Sequence, residues 1–197
     1  MKKHIAFFDF DGTITTKDTL LEFIKFSKGN IPFYLGFILN LHYLLGYKLG
    51  VISNHHAKER ILIHFFKNTT LATFENYCAQ FSLQVLPGLI RTGAKEEIKR
   101  LIDEGVEVVI VTASAENWVK PWADSMGVEL IGTRLELQEE KLTGKLQDIN
   151  CHGEEKVARI KQRFSLTDYE KIFAYGDTSG DKPMLAIAHE SYYKPFR

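Results

Sequence analysis

The chain has 197 residues, a length that suits one domain or a core domain carrying an insertion. Apolar residues make up 45% and charged residues 25%, an ordinary balance for a globular protein with a sizeable core. Its 25 basic residues match its 25 acidic ones, which argues against a general nucleic-acid-binding field, and no nucleic-acid partner is expected.

The start, MKKHIAFFDFDG, is basic like a signal peptide, but Asp9 cuts its apolar run short, so no secretion signal is expected. Ile5–Phe8 reads as a short buried parallel strand, with Asp9-Phe10-Asp11-Gly12 as the loop at its carboxyl end. From about Lys17 to Leu86 no convincing strand occurs. This stretch reads as several helices, broken at Gly29-Asn30-Ile31-Pro32, Ser53-Asn54 and Asn68-Thr69-Thr70. It is too long for a simple loop and is expected to be a helical insertion over the mouth of a sheet.

The later segments alternate between the two kinds of element. Helix-like Leu89–Glu104 precedes a strand over Val106–Val111, and helix-like Glu116–Met126 follows it. Arg134–Leu146 alternates polar and apolar residues around Glu139-Glu140 and reads as a β-hairpin. Helix-like Glu154–Phe164 then leads to a strand over Lys171–Tyr175. Such alternation implies an α/β fold, a parallel sheet with helices on both faces, whose ligands bind at the carboxyl ends of the strands. Three of those ends carry polar residues: Asp9 and Asp11, Thr112 and Ser114, and Asp177 and Asp181.

Two aspartates that close together repel each other, and a divalent cation would relieve the repulsion. Oxygen ligands at strand ends suit Mg²⁺, and no His/Cys cluster favours zinc. In this arrangement Asp9 can attack phosphorus, while Asp11 protonates the departing oxygen and later activates water. The loop after Thr112 offers a hydroxyl and amides at a helix N-terminus, and Lys156 offers a point charge to the same phosphoryl group.

These four segments, DFDGT at 9–13, VTAS at 111–114, Lys156 within HGEEK, and GDTSGD at 176–181, resemble the ordered motifs of the haloacid dehalogenase (HAD) phosphohydrolase superfamily. The resemblance implies a Rossmann-like core over residues 1–16 and 87–197 and a type I helical cap over 17–86. It implies a phospho-aspartate on Asp9, Asp11 as general acid/base and as a Mg²⁺ ligand through its carbonyl, and Asp177 as a further metal ligand. Thr112, Ala113 and Lys156 would bind the phosphoryl group, and Asp181 would hold the lysine or a metal-bound water.

The hairpin followed by a lysine-bearing helix is similar to the phosphoserine-phosphatase branch, subfamily IB. There a glutamate seven residues after the acid/base aspartate contacts the substrate amine; the matching residue here is Asp18, one methylene shorter. Ile31–Tyr47 has no charged residue apart from His42 and is broken by Pro32, Gly36 and Asn40. Three readings stay open for it: a buried helix pair, a surface that admits a lipid tail or rests on a bilayer, and a membrane span. An apolar cap of this kind resembles the phosphatidylglycerophosphate phosphatases of the same branch.

The expected substrate is therefore a lipid or other apolar phosphate, with phosphoserine or another small metabolite as the alternative. A phospho-aspartate signalling receiver and a membrane-associated binding module are the non-enzymatic alternatives. The expected location is cytoplasmic, with peripheral contact at the inner membrane face through the cap; the oligomeric state is left open. Cys78 and Cys151 are expected to be free thiols. His55-His56 is expected to be a solvated helix turn, His152 a helix-start residue, Trp118 and Trp122 packing residues against the sheet, and Met184 core. Lys2-Lys3 is expected to be solvated and Asp103-Glu104 to end a helix. Lid hinges are expected near Thr15–Lys17 and Leu86–Gly88.

Overall fold

A computed structural model describes residues 3–197. Met1 and Lys2, where the leader and part of the Lys2-Lys3 reading fall, lie outside the described residues. Five parallel strands form the main sheet: β1 (Lys3–Phe8), β2 (Glu107–Ala115), β3 (Glu129–Thr133), β6 (Tyr169–Gly176) and β7 (Glu190–Tyr193), in the order β3-β2-β1-β6-β7. The hairpin, β4 (Leu135–Gln138) and β5 (Lys141–Leu146), is a separate antiparallel pair. Its turn residues Glu139 and Glu140 both have positive φ, as a two-residue hairpin turn requires.

Strand β1 is buried on both faces, which explains its unbroken apolar run. Ala6 and Phe8 join a core with α6 (Thr92–Asp103) and α7 (Glu116–Met126). Ile5 and Phe7 join a second core with α8 (Glu154–Arg163) and α9 (Lys182–Ala186). The chain departs from β1 toward β2 and β3, then returns to add β6 and β7 on the other side. The order therefore reverses at β1, and the carboxyl ends of β2, β1 and β6 lie side by side at that switch point.

Between β1 and β2 the chain forms α1 (Thr19–Lys28), α2 (Asn30–Leu39), α3 (Leu41–Lys48), α4 (Asn54–Phe66) and α5 (Leu71–Gln84). The expected breaks fall at their ends. Gly29 separates α1 from α2, Ser53 caps α4 by accepting from His56 N, and Thr70 caps α5 by accepting from Thr73 N. One further break occurs at Asn40, whose side chain turns back to the Gly36 carbonyl. No helix among the described residues is long and apolar enough to cross a membrane, which removes the spanning reading of Ile31–Tyr47.

Three expectations are corrected. Thr112 and Ser114 belong to β2 rather than to a loop after it, because Ala115 still pairs with Thr133 across an irregular register. Strand β3 was not expected: it is short, opens on Glu129 and contains Gly132, so its apolar signal is weak. Strand β7 was not expected either, since ESYY is a mostly exposed edge strand.

The helical segment is not separated from the core by a polar seam. Phe23 of α1 stacks on Trp118 of α7 with ring centroids 5.0 Å apart, and it also touches Phe66, Phe74 and Phe81. Trp118 and Trp122 are thus packing residues, in one buried core with Ala6, Phe8 and Ile110 of the sheet; Trp118 also stacks on α1 and Trp122 meets Phe10. The two chain crossings lie together: Thr16 N donates to Leu89 O and Arg91 N to Ile14 O, both at 2.8 Å. Cys78 and Cys151 are buried and free, Met184 is buried, and Asp103-Glu104 ends α6.

Candidate active site

The site begins with Asp9, the first residue past β1. Its N–H donates to Tyr175 O at 2.9 Å, which continues the β1–β6 pairing and points the chain end toward β6. After it the backbone turns sharply. Gly12 has φ +81°, and a Cβ there would lie 2.5 Å from Asp177 Oδ2. Only glycine satisfies both the left-handed backbone and the close approach to that carboxylate.

The two Asp9 oxygens have different partners. Lys156 Nζ donates to Oδ1 at 2.7 Å, and Thr13 Oγ1 donates to Oδ2 at 2.9 Å. Lys156 enters from the first turn of α8 and is buried; its Nζ also donates to Asp181 Oδ1 at 2.7 Å. Asp181 Oδ2 accepts from Asp177 N, Thr178 N and Thr178 Oγ1 at 2.9–3.1 Å. Asp177, just past β6, accepts from Thr13 Oγ1 at 3.3 Å and from the Arg197 guanidinium.

The electrostatics follow from burial and sharing. Burial raises the Asp9 carboxyl to about 7, against the pull of Lys156. Burial likewise raises Asp177, against Arg197. For Asp181, burial pushes up, but the charge and hydrogen bond of Lys156 hold the acid below its ordinary range. Burial pulls the Lys156 ammonium down, yet Asp9 and Asp181 together hold it above an ordinary lysine.

Asp9, Asp177 and Asp181 each place a carboxylate oxygen within 4.8 Å of the others. Three buried carboxylates beside one buried lysine form an all-oxygen, electron-rich donor set, which fits a hard divalent cation such as Mg²⁺. All three carboxylates already accept hydrogen bonds at both oxygens: Asp9 from Lys156 and Thr13, Asp177 from Thr13 and Arg197, and Asp181 from Lys156 and residues 177–178.

Asp11 is fixed apart from this cluster. Its Oδ1 accepts from Thr19 N at 2.7 Å and its Oδ2 from Ser114 Oγ at 2.6 Å. Thr112 is fully buried at the β2 end, and its Oγ1 accepts from Ser114 N at 2.9 Å. Asp18 caps α1 by accepting from Leu21 N at 3.1 Å. A cavity of about 420 Å³ joins Asp9, Asp11, Ala113, Lys156 and Asp181 to Asp18 and to Tyr47, Asn54 and Lys58 of the helical segment. Every residue expected to act thus lies on this cavity or borders a residue that does.

Sequence reasoning left several contributors out. Thr13 bridges two of the aspartates, and the signal was its place at the end of DFDGT. Lys58 of α4 is another. Its Nζ reaches Ala113 O at 2.6 Å and Asn150 Oδ1 at 3.3 Å, and burial holds its ammonium below the ordinary range. Asn150 also accepts from Thr133 Oγ1 at 2.8 Å and donates to Asn54 Oδ1, so one buried amide ties α4 to the core. His152 lines the cavity rather than merely starting a helix. The His55 and His56 rings go separate ways, to Glu59 and to Ser53.

The chain resembles proteins that carry the same arrangement of elements. The haloacid dehalogenase-like hydrolase family matches residues 6–186. Protein CicA of Caulobacter vibrioides is 38% identical over 192 residues, covering 96% of this chain and 85% of CicA. A Mycobacterium tuberculosis protein named "Probable phosphatase" is 28% identical over 212 residues, covering 98% of this chain and 69% of that protein. A solved structure, "Phospho-Aspartyl Intermediate Analogue of Phosphoserine phosphatase", superposes with a TM-score of 0.64 at 22% identity, covering 97% of this chain and 86% of the other. Matched over most of its length, with an aspartate–lysine–aspartate network at the switch point of its sheet, this chain belongs to the haloacid dehalogenase-like hydrolase family and is a phosphatase-type enzyme of it.

Proposed function

We propose that the protein hydrolyses a phosphate monoester in two steps through a phospho-aspartate on Asp9, with Mg²⁺ as cofactor. The observation that carries this reading is the tethering of Asp9. Lys156 and Thr13 hold one oxygen each, so the carboxylate is oriented before substrate arrives.

In the first step an Asp9 oxygen bonds to phosphorus, the ester P–O bond breaks, and Asp11 gives its proton to the leaving oxygen. In the second, Asp11 takes a proton from water, the water oxygen bonds to phosphorus, and the Asp9–phosphate bond breaks, which restores the carboxylate and releases inorganic phosphate. Lys156 balances the phosphoryl charge, and Thr112 and the Ala113 backbone border the space it occupies. Asp9 and Asp177, with the Asp11 carbonyl, would hold Mg²⁺, which supplies positive charge for two anions to meet.

Residues 17–86 form the cap in this reading, with Tyr47, Asn54 and Lys58 reaching the cavity and Thr15–Lys17 and Leu86–Gly88 as its hinges. The substrate we favour is a lipid or otherwise apolar phosphate ester, since exposed apolar side chains from Ile31 to Val51 run up to Tyr47 at the cavity, although the segment gives the cavity itself mainly polar groups: Lys17, Asp18, Asn54 and Lys58. Asp18, the residue in place of an amine-binding glutamate, gives Oδ1 to the Leu21 N–H as a helix cap and also lines the cavity, so phosphoserine stays the alternative.

The test is phosphate release from a short-chain phosphatidylglycerophosphate and from phosphoserine, each with and without Mg²⁺, with Asp9→Asn as control. Mg²⁺-dependent release that Asp9→Asn abolishes supports the mechanism, and a preference for the lipid supports the substrate. Release that survives Asp9→Asn overturns the mechanism.

A further inference from the structure

The α2–α3 pair presents a surface that the site does not use. Helix α2 is apolar nearly all round, a pattern that ordinarily belongs to a buried helix. Its inner face, Phe33 and Gly36, is buried beside α4; a Cβ on Gly36 would lie 2.2 Å from the Phe65 ring and 2.8 Å from that of His64. Its outer face repeats Ile31, Tyr34, Leu35 and Ile38 at helical spacing, and all four are exposed, Ile31 by 75% and Ile38 by 65%. Leu45 of α3, then Leu49 and Val51, extend the run of exposed apolar side chains. Contiguous apolar surface of this kind marks a place where something docks.

Charge decides what docks. From Phe23 to Lys58 there is no aspartate or glutamate; of the lysines in that stretch, Lys58 is turned into the catalytic cavity, Lys25 pairs with Glu22 and Lys28 lies over the Phe66 ring, while Lys48 is exposed at the end of α3. A second copy docked by the same face would set Lys48 against a stretch that offers no acid to meet it. An anionic lipid surface meets both the apolar stripe and Lys48. The helices have 10 and 8 residues, so they can lie in the headgroup boundary but not cross it. Tyr47, at the end of α3, is exposed and also lines the catalytic cavity, so the apolar surface runs up to the site.

We propose that α2 and α3 dock the enzyme on an anionic bilayer, with the outer face of α2 in the headgroup boundary and the cavity mouth beside it. The docking stands apart from the catalytic chemistry; that a lipid phosphate is what reaches Asp9 rests on the function proposed above.

The experiment is flotation of the full chain with vesicles of phosphatidylcholine alone and of phosphatidylcholine mixed with phosphatidylglycerol. It compares the wild type with a Leu35→Ser/Ile38→Ser variant and with Lys48→Glu. The expected result is flotation with the anionic vesicles, weakened about tenfold or more by the double serine variant and also weakened by Lys48→Glu. Turnover of the soluble ester p-nitrophenyl phosphate should match the wild type in both variants, which shows that they are folded. Asp9→Asn should float like the wild type, so a failed mechanism and a failed docking surface give different results. No flotation with anionic vesicles overturns the proposal. So does flotation that the variants leave unchanged, or a dimer in sedimentation that the double serine variant dissociates.

Discussion

At the scale of single residues, the site is a problem of buried charge. Lys156 stands between Asp9 and Asp181, 2.7 Å from each, and all three are buried. Removing the lysine leaves two buried carboxylates without their counter-charge, so Lys156→Met is expected to destabilise the fold by about 3–5 kcal/mol. The loss should be smaller in acid, where the carboxylates can take up protons, and chemical denaturation across pH measures it. Asp9 itself makes stability depend on pH. Its acid is raised from 3.8 to about 7, so the folded state holds that proton more tightly than the unfolded chain does. This stabilising contribution is complete below 3.8 and is lost as pH rises through about 7. Without metal, the wild type should therefore lose stability relative to Asp9→Asn across that window, and added Mg²⁺ should restore it most at the upper end. A thermal-melt series for both proteins tests this; parallel curves would show that Asp9 is not the titrating group. Gly12→Ala meets both a positive φ and the Asp177 carboxylate, so it should cost about 1–3 kcal/mol and weaken Mg²⁺ binding, as read by melts with and without metal.

At the scale of elements, what the sequence made legible follows apolar runs and polar ends. The buried runs of β1, β2 and β6 are visible because both faces are covered, and their polar ends announce the site. Edge strand β7 and the short β3 lack that continuity; pairing with a neighbour, not composition, makes them strands. Asp9, Asp11, Asp177 and Asp181 were readable as charges in unusual places. Ser114 was readable as a polar residue at a strand end, and Thr13 only as the last residue of DFDGT; Asn150 was not, because an amide looks the same in a sequence whether it is solvated or bridges two elements. Its amide meets Lys58 and Asn54 of α4 and Thr133 of β3. Asn150→Ala should cost about 1–3 kcal/mol by leaving buried partners unmet. It should also loosen α4 over the cavity, which steady-state kinetics would show as a raised KM for substrates that reach Lys58.

At the scale of the whole molecule, the helical segment and the sheet share one aromatic core. Phe23 meets Phe66, Phe74 and Phe81 of the helices and Trp118 of α7, and Asn68 N of the helical segment donates to Leu142 O of the hairpin at 2.8 Å. Phe23→Ala should destabilise the molecule by about 3–5 kcal/mol, and unfolding followed by tryptophan fluorescence and by circular dichroism should remain one coincident transition. Two separated transitions would mean that the helices fold as a unit of their own. The order of the sheet then explains why distant motifs act together, since residues 9, 112 and 177 sit at the ends of three adjacent strands.

The central claim is that Asp9 carries the phosphoryl group, and the most direct measurement is acid quenching during turnover of a phosphate ester with Mg²⁺, followed by mass spectrometry of the fragment that contains Asp9. The account predicts one added phosphoryl group on Asp9, absent in Asp9→Asn and accumulating in Asp11→Asn, which lacks the base for the second step. Continued phosphate release with the phosphoryl group on another residue, or unimpaired release by Asp9→Asn, would contradict it.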